Sequence, residues 1–159
     1  MAIDMWSFGC ILAELYTGYP LFPGENETDQ LAYIMEICGV PDQAVLDYST
    51  RKHLFFDSND EPIITPNSRG KLRVVNSKSL ESVLNCSEEL FIDFLKGCLK
   101  WSPMERMTPL QALQHPWIHE GLPEKVLQHH IKMFNQPEDN KLIKKATRTD
   151  IQGFPPNAQ

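Results

Sequence analysis

The chain opens on apolar positions at helical spacing: Met5, Phe8, Ile11, Leu12 and Leu15 follow the 3.6-residue period, and Gly18 supplies a stop able to take positive φ. This predicts a helix from Asp4 to Thr17. Trp6, Cys10, Ala13 and Tyr16 add apolar surface on its other faces, and a helix hydrophobic nearly all round is expected to be surrounded by protein. Tyr19-Pro20-Leu21-Phe22-Pro23-Gly24 follows, where the prolines block helix and predict an extended loop with apolar anchors. A second, amphipathic and peripheral helix comes next. Asn26 caps it, Glu27 and Asp29 suit its positive end, Leu31, Ile34, Met35 and Cys38 form its stripe, and Gly39 and Pro41 end it.

From about residue 42 to 85 the periodicity weakens. A short helix over Gln43 to Tyr48 gives way to turn-rich sequence at Asp57-Ser58-Asn59-Asp60 and Asn67-Ser68-Arg69-Gly70. A long irregular stretch in a compact domain is usually functional or inserted. Ser79 to Leu84 reads as a further short helix. Ser87 is the expected cap of a strong one, with Glu88 and Glu89 in its first turn and Leu90, Phe91, Phe94, Leu95, Cys98 and Leu99 on its buried side. Thr108-Pro109 starts a short helix that Pro116 ends, and Glu124 to Phe134 is amphipathic. After about Asn135 the polar, proline-containing tail is expected to fray. The fold class predicted is mainly α.

Length and composition narrow the possibilities. A chain of 159 residues suits about one domain, and 42% hydrophobic with 23% charged residues is a globular balance. The formal charge of −6 gives no sequence-wide reason to bind nucleic acid or anionic membrane. No basic-then-apolar leader opens the chain, and no apolar run approaches the roughly 18 residues of a membrane span, so an intracellular protein, cytoplasmic or nuclear, is expected. The four cysteines, Cys10, Cys38, Cys86 and Cys98, lie beside apolar helical patterns without CxxC spacing and read as reduced, buried thiols.

Candidate chemistry is sparse. His115 and His119 have the i, i+4 spacing of metal ligands and His129-His130 adds two imidazoles, but Pro116 breaks the helix that would align the first pair. No Glu occupies the HExxH position, which weighs against a metal-binding helical domain. The eight glycines offer neither GxGxxG nor GxxxxGK[ST]. Arg69, Lys71 and Arg73 alternate in a way that could meet a phosphate, but read first as a solvated loop. Asp4 and Arg106 stand beside strongly apolar segments.

A resemblance decides more than periodicity. Ile3-Asp4-Met5-Trp6-Ser7-Phe8-Gly9-Cys10 resembles the D-x-W-S-x-G opening of the central helix in the C-terminal lobe of eukaryotic protein kinases. Pro103-Met104-Glu105-Arg106-Met107-Thr108, followed by His115-Pro116-Trp117-Ile118, is similar to the kinase ending, P-x-x-R-x-[ST] and then H-P-W/F. Glu14 to Glu25 resembles the CMGC group. Phe55-Phe56-Asp57-Ser58 and Asn67-Ser68-Arg69-Gly70-Lys71 resemble the dual-specificity tyrosine-phosphorylation-regulated kinases.

The resemblance implies an incomplete, helical C-terminal part of a kinase-like fold over residues 1–119, with an insert at about 42–85; it fades over 120–159, where the polar, proline-containing sequence predicts a partly disordered extension. It places Asp4, Trp6, Gly9, Arg106 and Trp117 at structural motif positions. The complete kinase would use ATP and Mg to phosphorylate Ser, Thr or Tyr hydroxyls. The Gly-rich loop, β-strand Lys, H-R-D and D-F-G that such chemistry needs do not occur in the sequence, so catalytic, cofactor and metal residues are expected to be none and this chain alone inactive. In the family the residue matching Arg106 pairs with a glutamate that this sequence lacks. Stranding a buried charge costs roughly 3–5 kcal/mol, so Arg106 is expected either to turn to water or to compromise the fold. The partners implied are the upstream kinase lobes. The alternative is a non-catalytic module binding proteins through the second helix and the insert.

Overall fold

The computed structural model describes residues 2–134. Helix α1, Ala2–Thr17, ends where Gly18 takes φ +79° and returns its N–H to the Glu14 carbonyl at 2.7 Å. Its buried residues are the small Gly9 and Ala13 together with Met5. The larger Ile3, Phe8, Ile11 and Leu15 face outward, with Leu15 76% exposed. The expectation of a helix covered on every side is therefore corrected. The other described elements cover one face, where small residues permit close approach, and leave Ile3, Ile11 and Leu15 mostly exposed.

Against the small-residue face pack α4, Leu80–Leu84, and α5, Glu89–Cys98. Ser79 caps α4 through a reciprocal bond with Ser82, and Asn85 closes it in the left-handed region at φ +49°. Helix α5 buries Phe91, Ile92, Phe94, Leu95 and Cys98, while Leu90 stays exposed. Its flanking residue is Glu88, with no side-chain cap bond, so Ser87 is not the cap. Phe8 meets Phe94 edge-on at 6.2 Å, and Tyr16 lies 5.1 Å from Phe91.

Helix α2, Glu27–Cys38, starts as expected, with Asn26 accepting the Asp29 N–H at 3.0 Å. Its buried face, Asp29, Ala32, Met35 and Glu36, is rotated from the sequence stripe and includes two carboxylates. The insert folds over it. Helix α3, Gln43–Tyr48, is capped by Asp42, a 3-10 turn follows at Lys52–Leu54, and a lone antiparallel bridge joins Phe56 to Pro62. Met35, Leu46 and Phe56 form a small core supported by Leu31, Phe55, Ile64, Val75 and Trp101. The stretch that lacked periodicity is thus anchored by side chains distant in sequence.

Among the described residues, those up to 112 make one compact unit and those from 113 a second. The first includes most of α6, Pro109–Leu113. The second holds α7, Pro116–His119, in which His115 Nδ1 caps the Trp117 N–H at 3.1 Å, and α8, Glu124–Phe134. The expected fraying after Asn135 lies outside the described residues. Among the described residues the fold is helical without a sheet, and no helix is long and apolar enough to cross a membrane.

Candidate functional site

The two ends of the first unit meet at the residues singled out by motif. Arg106 donates from Nη1 to the Ala2 carbonyl at 2.8 Å, from Nε to Lys100 O at 2.9 Å and from Nη2 to Trp101 O at 3.0 Å. Its guanidinium carbon stands 5.1 Å from the Trp6 ring centroid. Arg106 neither turns fully to water nor loses its partners, because three carbonyl dipoles and an aromatic face solvate the charge. Burial still pulls its pKa below the usual arginine value.

Trp6 stacks on Phe22 at 6.2 Å and tilts against Trp101 at 5.7 Å. Trp101 in turn donates its indole N–H to Gly39 O at 2.9 Å, tying the first turn of α1 to the end of α2. Gly9 faces α5, where an added Cβ would stand 2.7 Å from Cys98 Cβ. Asp4 is exposed in the first turn of α1. Trp117 lies in the second unit, half-buried. The structure thus brings Trp6 and Arg106 together, sets Gly9 at a helix crossing and leaves Asp4 at the surface.

Sequence reading missed one cluster. Arg73, expected in a solvated loop, is 3% exposed. Its Nε reaches Asp29 Oδ1 at 3.0 Å, Nη1 reaches Glu36 Oε2 at 3.1 Å, and its guanidinium carbon lies 3.1 Å from the Tyr33 ring centroid. Lys78 adds a second cation on Glu36 at 3.1 Å. The available signal was Asp29 and Glu36, seven apart on the face of α2 that carries Ala32 and Met35, since two carboxylates in an apolar stripe call for a cation.

Other chemistry is limited. Burial pushes the thiol pKa of Cys10 up to about 11, Cys38 to about 12 and Cys98 to about 11, which makes them poor nucleophiles. His119 Nε2 lies 3.0 Å from the Leu113 carbonyl, and His115 Nδ1 is engaged as a cap. Among the described residues no group of three or more His, Cys, Asp or Glu could hold a metal. An open apolar groove of about 360 Å³ lies between α2, α3 and Trp101, lined by Leu31, Ile34, Val45, Leu46 and Phe55.

The central helix, clasped at its first turn by a distant arginine and lying beside a helical insert, falls within the part of the chain that matches known proteins. The protein kinase domain family matches residues 1–118, and the chain belongs to that family. Within it, the chain aligns with dual-specificity tyrosine-phosphorylation-regulated kinases. It is 56% identical over 117 residues to dual specificity tyrosine-phosphorylation-regulated kinase 2 of Drosophila melanogaster, covering 74% of this chain and 16% of that protein. With the human kinase 4 of the same name it shares 56% over 121 residues, covering 76% and 23%. With the DYRK-family kinase pom1 of Schizosaccharomyces pombe it shares 55% over 116 residues, covering 73% and 11%. The chain therefore spans less than a quarter of the length of these relatives.

Proposed function

We propose that this chain is the C-terminal-lobe part of a kinase that transfers the γ-phosphoryl of MgATP to Ser, Thr or Tyr hydroxyls of proteins, and that the chain alone transfers none. The observation that carries the reading is the clasp of Arg106 on the first turn of α1, because it ties the second motif to the start of the first, through a 2.8 Å bond to the Ala2 carbonyl and a 5.1 Å approach to the Trp6 ring. In this role Asp4, Trp6, Gly9, Arg106 and Trp117 are positioning residues. They fix the lobe on which a catalytic loop would rest and do not touch nucleotide. Residues 1–119 act as the lobe and 120–159 as an extension. The four free cysteines suit the reducing interior of a cell, consistent with an intracellular kinase.

Two measurements test this. Purified chain, freed of contaminating kinase, is expected to leave a protein substrate unphosphorylated with MgATP; transfer that survives repurification overturns its inactivity. Endogenous protein captured through the insert is expected to be heavier than 18.3 kDa and to yield peptides containing H-R-D and D-F-G. A product of 18.3 kDa without them overturns the kinase reading and leaves a binding role.

A further inference from the structure

In residues 71–75 of the insert the usual order of exposure is inverted. Arg73 is buried and Val75 packs on the small core, while the apolar Leu72 and Val74 are 56% and 61% exposed. This alternation has the period of an extended chain. The segment is pinned from behind, since Arg73 is held by Asp29 and Glu36. It is also closed at both ends. Asn67 Oδ1 takes the Lys71 N–H at 2.9 Å and Asn67 N–H reaches Lys71 O at 3.0 Å, while Ser77 N–H meets Val74 O at 3.3 Å.

Between these turns the backbone is unused. Among the described residues, the N–H and C=O of Leu72 and the N–H of Val74 have no protein hydrogen-bond partner, and in an extended run these groups share one side, whereas Arg73, whose main-chain groups point the other way, is buried. A short extended run with free donors and acceptors and outward apolar side chains at i and i+2 is an edge that another extended chain can complete.

We propose that residues 71–75 form a docking edge for β-strand addition by a partner protein's extended segment, one with apolar residues at alternate positions and acidic residues beside them. The charge argument comes from Arg69 and Lys71, both exposed at the start of the segment on a chain of net charge −6. Glu25 offsets Arg69 in part, but its two oxygens are engaged by the Ser68 N–H and hydroxyl at 3.0 and 2.7 Å. Lys71 has no ion pair among the described residues. The same cations disfavour a second copy as the occupant, because self-pairing brings the basic residues of both copies into one small patch. The edge is independent of phosphoryl transfer and stands whether or not the kinase reading holds.

The test is a titration of the full 159-residue chain against a fluorescein-labelled peptide whose core alternates valine and threonine and whose ends carry aspartates, read by fluorescence anisotropy and amide hydrogen exchange. Saturable binding is expected, with slowed exchange at the Leu72 and Val74 amides. Peptide N-methylated at alternate residues should bind about tenfold more weakly or worse, since only main-chain pairing is removed. The double variant Leu72→Asp with Val74→Asp changes exposed side chains only, and should keep the thermal midpoint and lose binding. Binding indifferent to N-methylation or to the double variant overturns the proposal. So does absence of binding at about millimolar peptide by a chain that unfolds cooperatively, or protection of these amides through self-association.

Discussion

Removing Arg73 is the sharpest test of how the insert is held. Arg73→Met keeps the side-chain length and removes the charge, leaving Asp29 and Glu36 with side chains about 5% exposed. The two carboxylates do not suffer equally. Glu36 retains Lys78 at 3.1 Å, which is itself partly in water, whereas among the described residues the Asp29 carboxylate retains only the Glu25 N–H on Oδ2 at 3.1 Å. Breaking a buried pair by deleting one partner costs about 3–5 kcal/mol, and the help from Lys78 places this variant near the lower end. A loss of about 3 kcal/mol corresponds to a fall of roughly 10–15 °C in midpoint for a unit of this size. Urea and thermal unfolding at neutral pH read it. Adding Asp29→Leu and Glu36→Met should restore most of the loss, because the cost lies in stranded carboxylates rather than in a net favourable ion pair. A single variant within about 1 kcal/mol of the parent, or a triple variant no better than the single, would refute the reasoning.

Further outcomes follow from the same geometry. Gly9→Ala should destabilise by about 1–2 kcal/mol despite alanine's higher helix propensity, and Cys98→Ala should give no relief, since the 2.7 Å clash is with the Cβ that alanine keeps; equilibrium unfolding of the single and double variants checks both. Arg106→Lys should cost about 2 kcal/mol, because an ammonium cannot reach three carbonyls spread around a planar fork; slower α1 hydrogen exchange in that variant would contradict this. Cys10, Cys38 and Cys98 should resist iodoacetamide at pH 7.5 in native protein and react once urea is added, because burial holds their pKa near 11 to 12. Lys96, hydrogen-bonded at 2.6 Å, holds the Glu81 pKa down to about 2, so their contribution is complete above the ordinary carboxylate range and fades as pH falls toward 2. The pair is exposed, so this is under about 1 kcal/mol, and Lys96→Met should remove that part of the acid sensitivity in unfolding curves taken between pH 5 and 2.

Much of this protein is local and therefore legible in its sequence. Helix starts at Asn26, Asp42, Ser79 and Pro109 follow from side chains that satisfy the first free N–H groups or do without one, and Gly18 ends α1 because its φ of +79° is cheap only for glycine. The motif pair at Asp4 to Gly9 and Pro103 to Arg106 placed the chain in its family before any contact was known. Composition and periodicity also gave the helical class. What they could not give is which face of each helix is covered. In α1 Ile11 and Leu15 point outward while Gly9 lies against α5, and periodicity counts apolar positions without knowing what packs on them. In α2 the buried face carries Asp29 and Glu36, which are bearable only because Arg73, 44 and 37 positions away, folds back between them. Arg106, lacking an acidic partner, was expected either to turn to water or to compromise the fold, yet main-chain carbonyls from both ends of the unit solvate it. Periodicity and capping act over a few residues and are written in the sequence, whereas a buried charge is decided by whatever the tertiary fold brings within about 3 Å of it.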